Sequence, residues 1–312
     1  MATMEKKLTV ALLAGGRSAE REVSLKSGEQ VFRALDPSRY DVLRYDPKDD
    51  LVRLAQDASK IDVALIILHG RLGEDGTIQG LLDSLSIPYQ GSGVLGSAVA
   101  MNKILSKQLY IQAGLPVAPH VVVDRTESDP VRRVVDVLPF PVVVKPEHEG
   151  SSIGLSIARS REDLPRALDR AWHYDRRCLV EQFIQGTEIT GGVLGNEELQ
   201  ALPLVEIIPG DSYEFFDYEA KYTPGASREV CPARISDSMT CRAQELAVRA
   251  HRALYCRGYS RTDMIVSGEN IFVLETNTIP GMTETSLFPQ AAAAAGMGFP
   301  ALLDRLIELA LE

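Results

Sequence analysis

Residues 140–158 read Phe140-Pro141-Val142-Val143-Val144-Lys145-Pro146-Glu147-His148-Glu149-Gly150-Ser151-Ser152-Ile153-Gly154-Leu155-Ser156-Ile157-Ala158. Phe140–Lys145 is an apolar run of strand length, Glu149–Gly154 a loop of small residues, and Leu155–Ala158 a returning strand. That is strand–loop–strand, where a P-loop or a dinucleotide fold needs strand–loop–helix. Small residues let backbone N–H groups approach an anion, and the hydroxyls of Ser151 and Ser152 add donors. Lys145, at the strand end, is aimed at the same space. No G-K-[ST] occurs, so two readings stay open here: a glycine hairpin over a triphosphate, or an ordinary flexible hairpin.

Outward from this stretch the two halves of the chain differ. Before it, Leu8–Ala14, Asp41–Tyr45 and Val63–Leu68 are strand-like runs separated by helical stretches, which predicts a parallel sheet with helices on both faces. Ligands gather at the carboxyl ends of such strands, where Gly15-Gly16 and His69-Gly70 stand. Ser97–Ala113 reads as one helix closed by Gly114, with Pro116 and Pro119 beyond it. After the hairpin come a helix over Glu162–Ala171 and strands at Cys178–Phe183, Thr190–Leu194 and Leu202–Ile207. A long polar and aromatic loop over Gly210–Gly225, a helix Asp237–Leu254, and strands near Thr262–Val266 and Ile271–Leu274 complete the pattern. The second half is therefore α+β, and the expected divisions are residues 1–100, 101–185 and 186–312.

The chain has 312 residues, with 33 Lys and Arg against 43 Asp and Glu, a formal net charge of −10. A nucleic-acid binder concentrates basic surface to neutralise phosphates, so no nucleic-acid partner is expected. No apolar run approaches the ~18 residues that span a bilayer, and no membrane partner is expected. Lys6-Lys7 followed by Leu8–Ala14 imitates a short signal peptide, but the run continues into Gly15-Gly16-Arg17 with no small-residue cleavage site; a buried first strand explains it better. Cys178, Cys231, Cys241 and Cys256 form no C-x-x-C pair or disulfide framework and read as reduced thiols, which points to a cytoplasmic protein.

Gly91-Ser92-Gly93-Val94-Leu95-Gly96 is a literal G-x-G-x-x-G, the fingerprint of a nicotinamide-dependent oxidoreductase. The fingerprint needs a strand before it and an acid about 20 residues on. Only Ile87-Pro88-Tyr89 precedes it, and Leu115–His120 carries no acid. A glycine loop leading into the next helix is the better reading. More telling are Arg261-Thr262-Asp263 and Glu275-Thr276-Asn277. Strand alternation puts Arg261 and Asp263 on one face, and Glu275 and Asn277 likewise. With a three-residue loop Gly268–Asn270, Asp263 lies opposite Glu275. Two carboxylates and an amide oxygen converging there are hard ligands suited to Mg²⁺ bridged by phosphates. The alternative is a solvated hairpin with chance acids.

Five segments occur in order: Gly15-Gly16-x-Ser18-Ala19-Glu20, His69-Gly70-x-x-Gly73-Glu74-Asp75-Gly76, Glu149-Gly150-Ser151-Ser152, Tyr218-Glu219-Ala220-Lys221-Tyr222 and Glu275-Thr276-Asn277-Thr278-x-Pro280-Gly281-Met282-Thr283. Together they resemble the D-alanine–D-alanine ligase family. The resemblance implies an N-terminal parallel α/β domain followed by a two-part α+β ATP-grasp fold that holds ATP. It implies Lys103, Lys145 and Lys221 on the phosphates, with Ser152 and Phe215 also at the nucleotide. Glu181 would accept from the adenine amino group, the backbone of Gln182, Phe183 and Ile184 would edge the base, and Glu188 would hold the ribose. Some family members carry Lys where this chain has Gln182.

Asp263, Glu275 and Asn277 match a site for two Mg²⁺ (or Mn²⁺), with room for a monovalent cation. The implied reaction joins two D-alanines through a D-alanyl phosphate. Glu20, Ser151 and Tyr222 would form a hydrogen-bonded set at the first D-alanine, with His69 near its carboxylate. Arg261 and the N–H of Gly281 would form the oxyanion hole, and Ser286 and Leu287 would meet the second D-alanine. Tyr222 favours a dipeptide over the D-alanyl–D-lactate ester. A homodimer is expected. Singly, Glu20 also reads as a helix N-terminal acid and His69 as a structural histidine. The length of Gly210–Gly225 marks it as a candidate lid that excludes water from the acyl phosphate.

Overall fold

The computed structural model describes residues 6–210 and 227–312. Strands β1 (Leu8–Ala14), β2 (Tyr40–Tyr45) and β3 (Val63–Ile67) form a parallel sheet in the order β2-β1-β3, with α1 (Arg21–Ala34) and α2 (Leu51–Asp57) between them. Alternation along the strands divides two cores. Val10, Leu12, Val63, Leu65 and Ile67 enter one cluster, while Ala11, Leu13, Ala64 and Ile66 enter another. Burial on both faces is why these strands read as continuous apolar runs. The first cluster also contains Phe288, Leu302 and Leu306, so the end of the chain helps cover its beginning.

Beyond α3 (Thr77–Ser84), the expected helix over Ser97–Ala113 is two helices, α4 (Val94–Met101) and α5 (Lys103–Gln112). Asn102 breaks them. Its backbone is extended at φ −88° and ψ 101°, and its side chain caps α5 by accepting from the Leu105 N–H at 2.9 Å. The amide also donates to Glu147 at 2.8 Å, and the Lys103 N–H donates to the Glu147 carbonyl at 2.9 Å. These ties to a distant segment turn α5 away from α4. No strand precedes Gly91; Tyr89 makes only one isolated bridge to Ala64. Close packing explains the glycines there: a Cβ on Gly96 would come within 2.7 Å of the Tyr255 carbonyl.

The second sheet holds β4 (His120–Asp124), β5 (Val142–Pro146), β6 (Ser156–Ala158) and β7 (Arg177–Gln182), ordered β4-β7-β5-β6 and antiparallel throughout. Helices α6 (Pro130–Val135) and α7 (Leu164–Trp172) pack on it. The third sheet is also antiparallel, ordered β11-β10-β8-β12-β13, with β9 beside β8. Its strands are β8 (Thr187–Gly195), β9 (Gln200–Ala201), β10 (Val205–Pro209), β11 (Ser227–Val230), β12 (Gly258–Ser267) and β13 (Asn270–Asn277). Helix α8 (Asp237–Ala253) covers it, and α9 (Leu287–Ala294) and α10 (Phe299–Leu311) return toward the first sheet. Helix α5 touches both β7 and β13, and so bridges the second and third sheets. Among the described residues no helix is long and apolar enough to cross a membrane. All four cysteines are free.

Candidate active site

A cleft lies between the second and third sheets. On β5, Val142 and Val144 point into the core while Val143 and Lys145 line the cleft, as alternation requires. Glu181 of β7 pairs in register with Val143, and the strand end Gln182, Phe183 and Ile184 forms one wall. The Gln182 and Phe183 N–H groups donate to the carbonyls of Pro119 and Pro141 at 2.9 and 3.0 Å, which fixes that wall. Lys103, Ser152 and Glu188 line the same space, and Asp263 and Glu275 reach it from the third sheet. Ala118, Ile157, Ile265 and Leu274 supply apolar surfaces suited to a flat ring. Sequence reasoning misses this apolar lining, because such residues read simply as core.

Charge is concentrated here. Glu181 is 3% exposed and carries two lysines: Lys107 on one carboxylate oxygen and Lys145 at 2.6 Å on the other. Burial would push the Glu181 carboxyl up, but Lys107 and then Lys145 outweigh it and hold the group well below the usual carboxylate range. Lys103 donates to the Glu149 carbonyl at 2.7 Å and lies 3.5 Å from the Glu275 carboxylate. Sequence reasoning misses Lys107 as well; its only signal is its place one helical turn after Lys103.

The loop after β5 is strained. Ser151 and Ser152 both adopt left-handed backbone, at φ +48° and +58°, followed by Gly154 at +74°. Such conformations in residues other than glycine persist at sites where the surroundings enforce them. The Ser151 hydroxyl donates to the buried Glu20 carboxylate. Glu20 stands at the N-cap of α1 and makes no side-chain capping bond, so its carboxylate is left to the Ser151 hydroxyl of the loop after β5.

His69, at the end of β3, is 7% exposed. Burial pushes its imidazole toward the neutral form; the Glu20 charge opposes that and the Arg261 charge reinforces it. Glu74, in the same motif but assigned no role from sequence, accepts from the Gly70 N–H at 2.7 Å. Burial and the Glu20 charge push its carboxyl up to about 8.

The β12–β13 hairpin brings the remaining groups together. Arg261 pairs with Asn277 and Asp263 with Glu275. Asp263 accepts from both arms of the Arg261 fork at 2.9 Å, from Thr190 at 2.6 Å and from the Asn277 amide at 3.1 Å. Among the described residues no group of three His, Cys, Asp or Glu side chains could enclose a metal ion. Two carboxylates with one amide suit a cation that takes its other ligands from phosphates and water. Ser286, the N-cap of α9, turns its hydroxyl to Thr283, accepting from its N–H at 3.1 Å. A Cβ on Gly281 would lie 3.1 Å from the Ser286 oxygen, and buried Leu287 follows. Phe215, Lys221, Tyr222 and most of the expected lid lie outside the described residues.

Comparison with known proteins agrees over the whole length. The family described as D-ala D-ala ligase C-terminus matches residues 109–308, and that described as D-ala D-ala ligase N-terminus matches residues 9–52 and 45–92. The chain is 77% identical to a D-alanine–D-alanine ligase of Syntrophobacter fumaroxidans, with 98% of each chain covered. It is 56% identical to one of Desulfotalea psychrophila, covering 98% of this chain and 96% of the relative. Among solved structures it resembles the Bacillus anthracis D-alanine–D-alanine ligase complexed with ATP, with a TM-score of 0.84, 32% identity and 97% of each chain covered. It also resembles the VanG D-Ala:D-Ser ligase of Enterococcus faecalis, with a TM-score of 0.86, 31% identity, and 98% and 100% covered.

Proposed function

The chain belongs to the D-alanine–D-alanine ligase family, and from that premise we infer how its cleft uses ATP to join two D-alanines for peptidoglycan precursor synthesis. The fold is the ATP-grasp arrangement, a nucleotide cleft between two antiparallel sheets, preceded by the parallel α/β part. One observation carries the reading: Lys103, Lys145, Ser152, Glu181, Gln182, Phe183, Ile184 and Glu188 line one cleft together with Asp263 and Glu275.

In the reaction, a carboxylate oxygen of the first D-alanine attacks the γ-phosphorus of ATP; the bond to ADP breaks and D-alanyl phosphate forms. The neutral amine of the second D-alanine then attacks the acyl carbon, and the tetrahedral intermediate loses the amine proton and expels phosphate, which leaves as hydrogen phosphate, to give the dipeptide. Lys103 and Lys145, with Lys221, would bind phosphate oxygens as cations. Glu181 would accept from the adenine amino group, Glu188 would hold the ribose, and Gln182, Phe183 and Ile184 would edge the base. Ser152, with Phe215, would complete the nucleotide site.

Glu20, oriented by Ser151 and joined by Tyr222, would hold the first substrate's ammonium, with neutral His69 near its carboxylate. Arg261, held by the Asp263 fork, and the Gly281 N–H would stabilise the tetrahedral oxyanion. Ser286 and Leu287 would receive the second D-alanine. Asp263, Glu275 and Asn277 fit two Mg²⁺ or Mn²⁺, with a monovalent cation besides. Such divalent ions neutralise phosphate charge during transfer. A cytoplasmic homodimer completes the proposal, and the free cysteines support that compartment.

The test is the purified protein with ATP, Mg²⁺ and D-alanine, followed for ADP, phosphate and dipeptide. Equimolar release of the three is expected. ATP turnover with no dipeptide would overturn the reading.

A further inference from the structure

Helix α5 carries Lys103, Lys107 and Tyr110 at helical spacing on one face. Each reaches a different part of the site: Lys103 the Glu275 carboxylate, Lys107 that of Glu181, and Tyr110 the Thr276 hydroxyl at 2.8 Å. Among the described residues, two lysines are partly open to the cleft, Lys103 at 15% and Lys145 at 12% side-chain exposure. Lys107 is at 1%, sealed beneath the cleft floor. An ammonium is almost never fully buried unless paired, and its partner here is one oxygen of Glu181. Lys145 holds the other.

We propose that Lys107 is a positioning residue for the nucleotide, fixing the Glu181 carboxylate from below as the acceptor for the adenine amino group and freeing Lys145 to turn to the phosphates. The proposal rests on the assignment of this cleft to ATP. A lysine that cannot reach the ligand can still keep its carboxylate ionised when the exposed lysine leaves. Without that cation, the buried Glu181 carboxyl would rise toward neutrality and protonate, losing the charge that makes it a strong acceptor for the adenine amino group. Burial pushes the Lys107 ammonium down; the Glu181 charge opposes this, Lys145 reinforces it, and Glu275 of β13 also opposes it. Glu275 and Glu188 of β8 act on Lys145, and Lys103 faces Glu275. His120, the β4 neighbour of Glu181 in register, places its Nδ1 3.1 Å from the Ala118 carbonyl.

The test compares the full-length enzyme with Lys107→Met, Glu181→Gln and the double variant, measuring KM for ATP and kcat from pH 6 to 9. For Lys107→Met, KM for ATP should rise about tenfold near neutral pH, with kcat at saturating ATP within about twofold. The rise should shrink as pH increases, because Glu181 then ionises again. The parent enzyme should show no such recovery. A helix that merely lost packing would lose affinity equally at every pH.

Should Lys107→Met fold poorly, the double variant removes the uncompensated charge. Its KM should then be no higher than that of Glu181→Gln alone, since Lys107 acts only through Glu181. Multiplied losses in the double variant would overturn the proposal. So would an unchanged, pH-independent KM in Lys107→Met while Glu181→Gln is impaired, which would leave the nucleotide assignment intact. An unchanged KM in Glu181→Gln would overturn the proposal, because the amide oxygen still accepts and only the charge is lost; an unchanged KM in Glu181→Leu, which has no acceptor, would overturn the nucleotide assignment itself.

Discussion

Asp263 stands directly opposite Glu275 across the β12–β13 hairpin because one extra residue, Leu274, is inserted on β13. The turn is shorter than the three-residue loop expected from the sequence: Ser267 pairs with Asn270, leaving only Gly268 and Glu269 between them. That turn by itself would set Asp263 against Leu274 and send Glu275 to the other face. A β-bulge after Asp263 restores the pairing and brings Leu274 to the cleft wall beside Ile265.

On the proposed reading, Glu275→Gln should therefore strip a charge from the end of the cleft assigned to the metal and phosphates and leave the fold in place. Turnover should fall on the order of a hundredfold or more, since a carboxylate ligand becomes a neutral amide. The melting temperature should stay close to that of the parent, because the side chain is 30% exposed at a sheet edge. Steady-state kinetics over a Mg²⁺ titration checks this, and near-parent activity would sink the assignment of Glu275.

Ser151→Ala separates the two substrates. It removes the hydroxyl that donates to Glu20, while Ser152, not Ser151, lines the nucleotide cleft. KM for the first D-alanine should rise on the order of tenfold, the scale of one hydrogen bond to a charged group. KM for ATP should barely move. Equal changes in both constants would mean that the loop as a whole had collapsed.

Two glycines distinguish crowding from backbone strain. At Gly154, with φ +74°, a Cβ would meet the Tyr174 ring at 2.7 Å and Pro146 at 2.9 Å. At Gly268, with φ +59°, it would meet nothing within 4 Å. Gly268→Ala should cost about 1 kcal/mol of left-handed strain alone. Gly154→Ala should cost roughly 2–4 kcal/mol, since overpacking adds to that strain. Urea unfolding of both variants tests the difference; equal costs would show that the Gly154 loop relaxes freely.

His251 gives acid sensitivity remote from the cleft. It is buried in α8 with Nδ1 2.7 Å from the Ser260 hydroxyl. Burial, reinforced by Arg252, pushes its imidazole down to about 4 from an ordinary 6.5. The unfolded chain thus binds a proton between those values that the folded chain refuses. Stability is whole above about pH 6.5 and falls as pH drops toward 4, by about 3 kcal/mol at most. His251→Gln should lack that slope in urea titrations from pH 7 to 4.5; an identical slope would assign the acid loss to other groups.

Much of the proposed nucleotide cleft is legible in the sequence. Lys145 ends an apolar run and is followed by glycines and serines, and a strand end facing a small-residue loop is a local pattern. The role expected of Glu20 is less secure there, because an acid opening a helix has an ordinary explanation. The second partner, Ser151, stands 131 residues away, where no local reading finds it.

The sequence alone determined the apolar strands β1, β3, β5 and β7 and the helix α8, since hydrophobic period and turn residues are properties of neighbouring residues; it did not show the break at Asn102 or the strand β4. Tertiary structure decided what distant segments do to one another. Asn102 ends a helix because Glu147 is there to bind it, and Leu302 and Leu306 close the core of a sheet made near the other end of the chain. Lys107 has no role in the sequence until Glu181 lies against it. A buried charge, a register with one extra residue and the choice of covering helix depend on long-range contact, which no local period encodes.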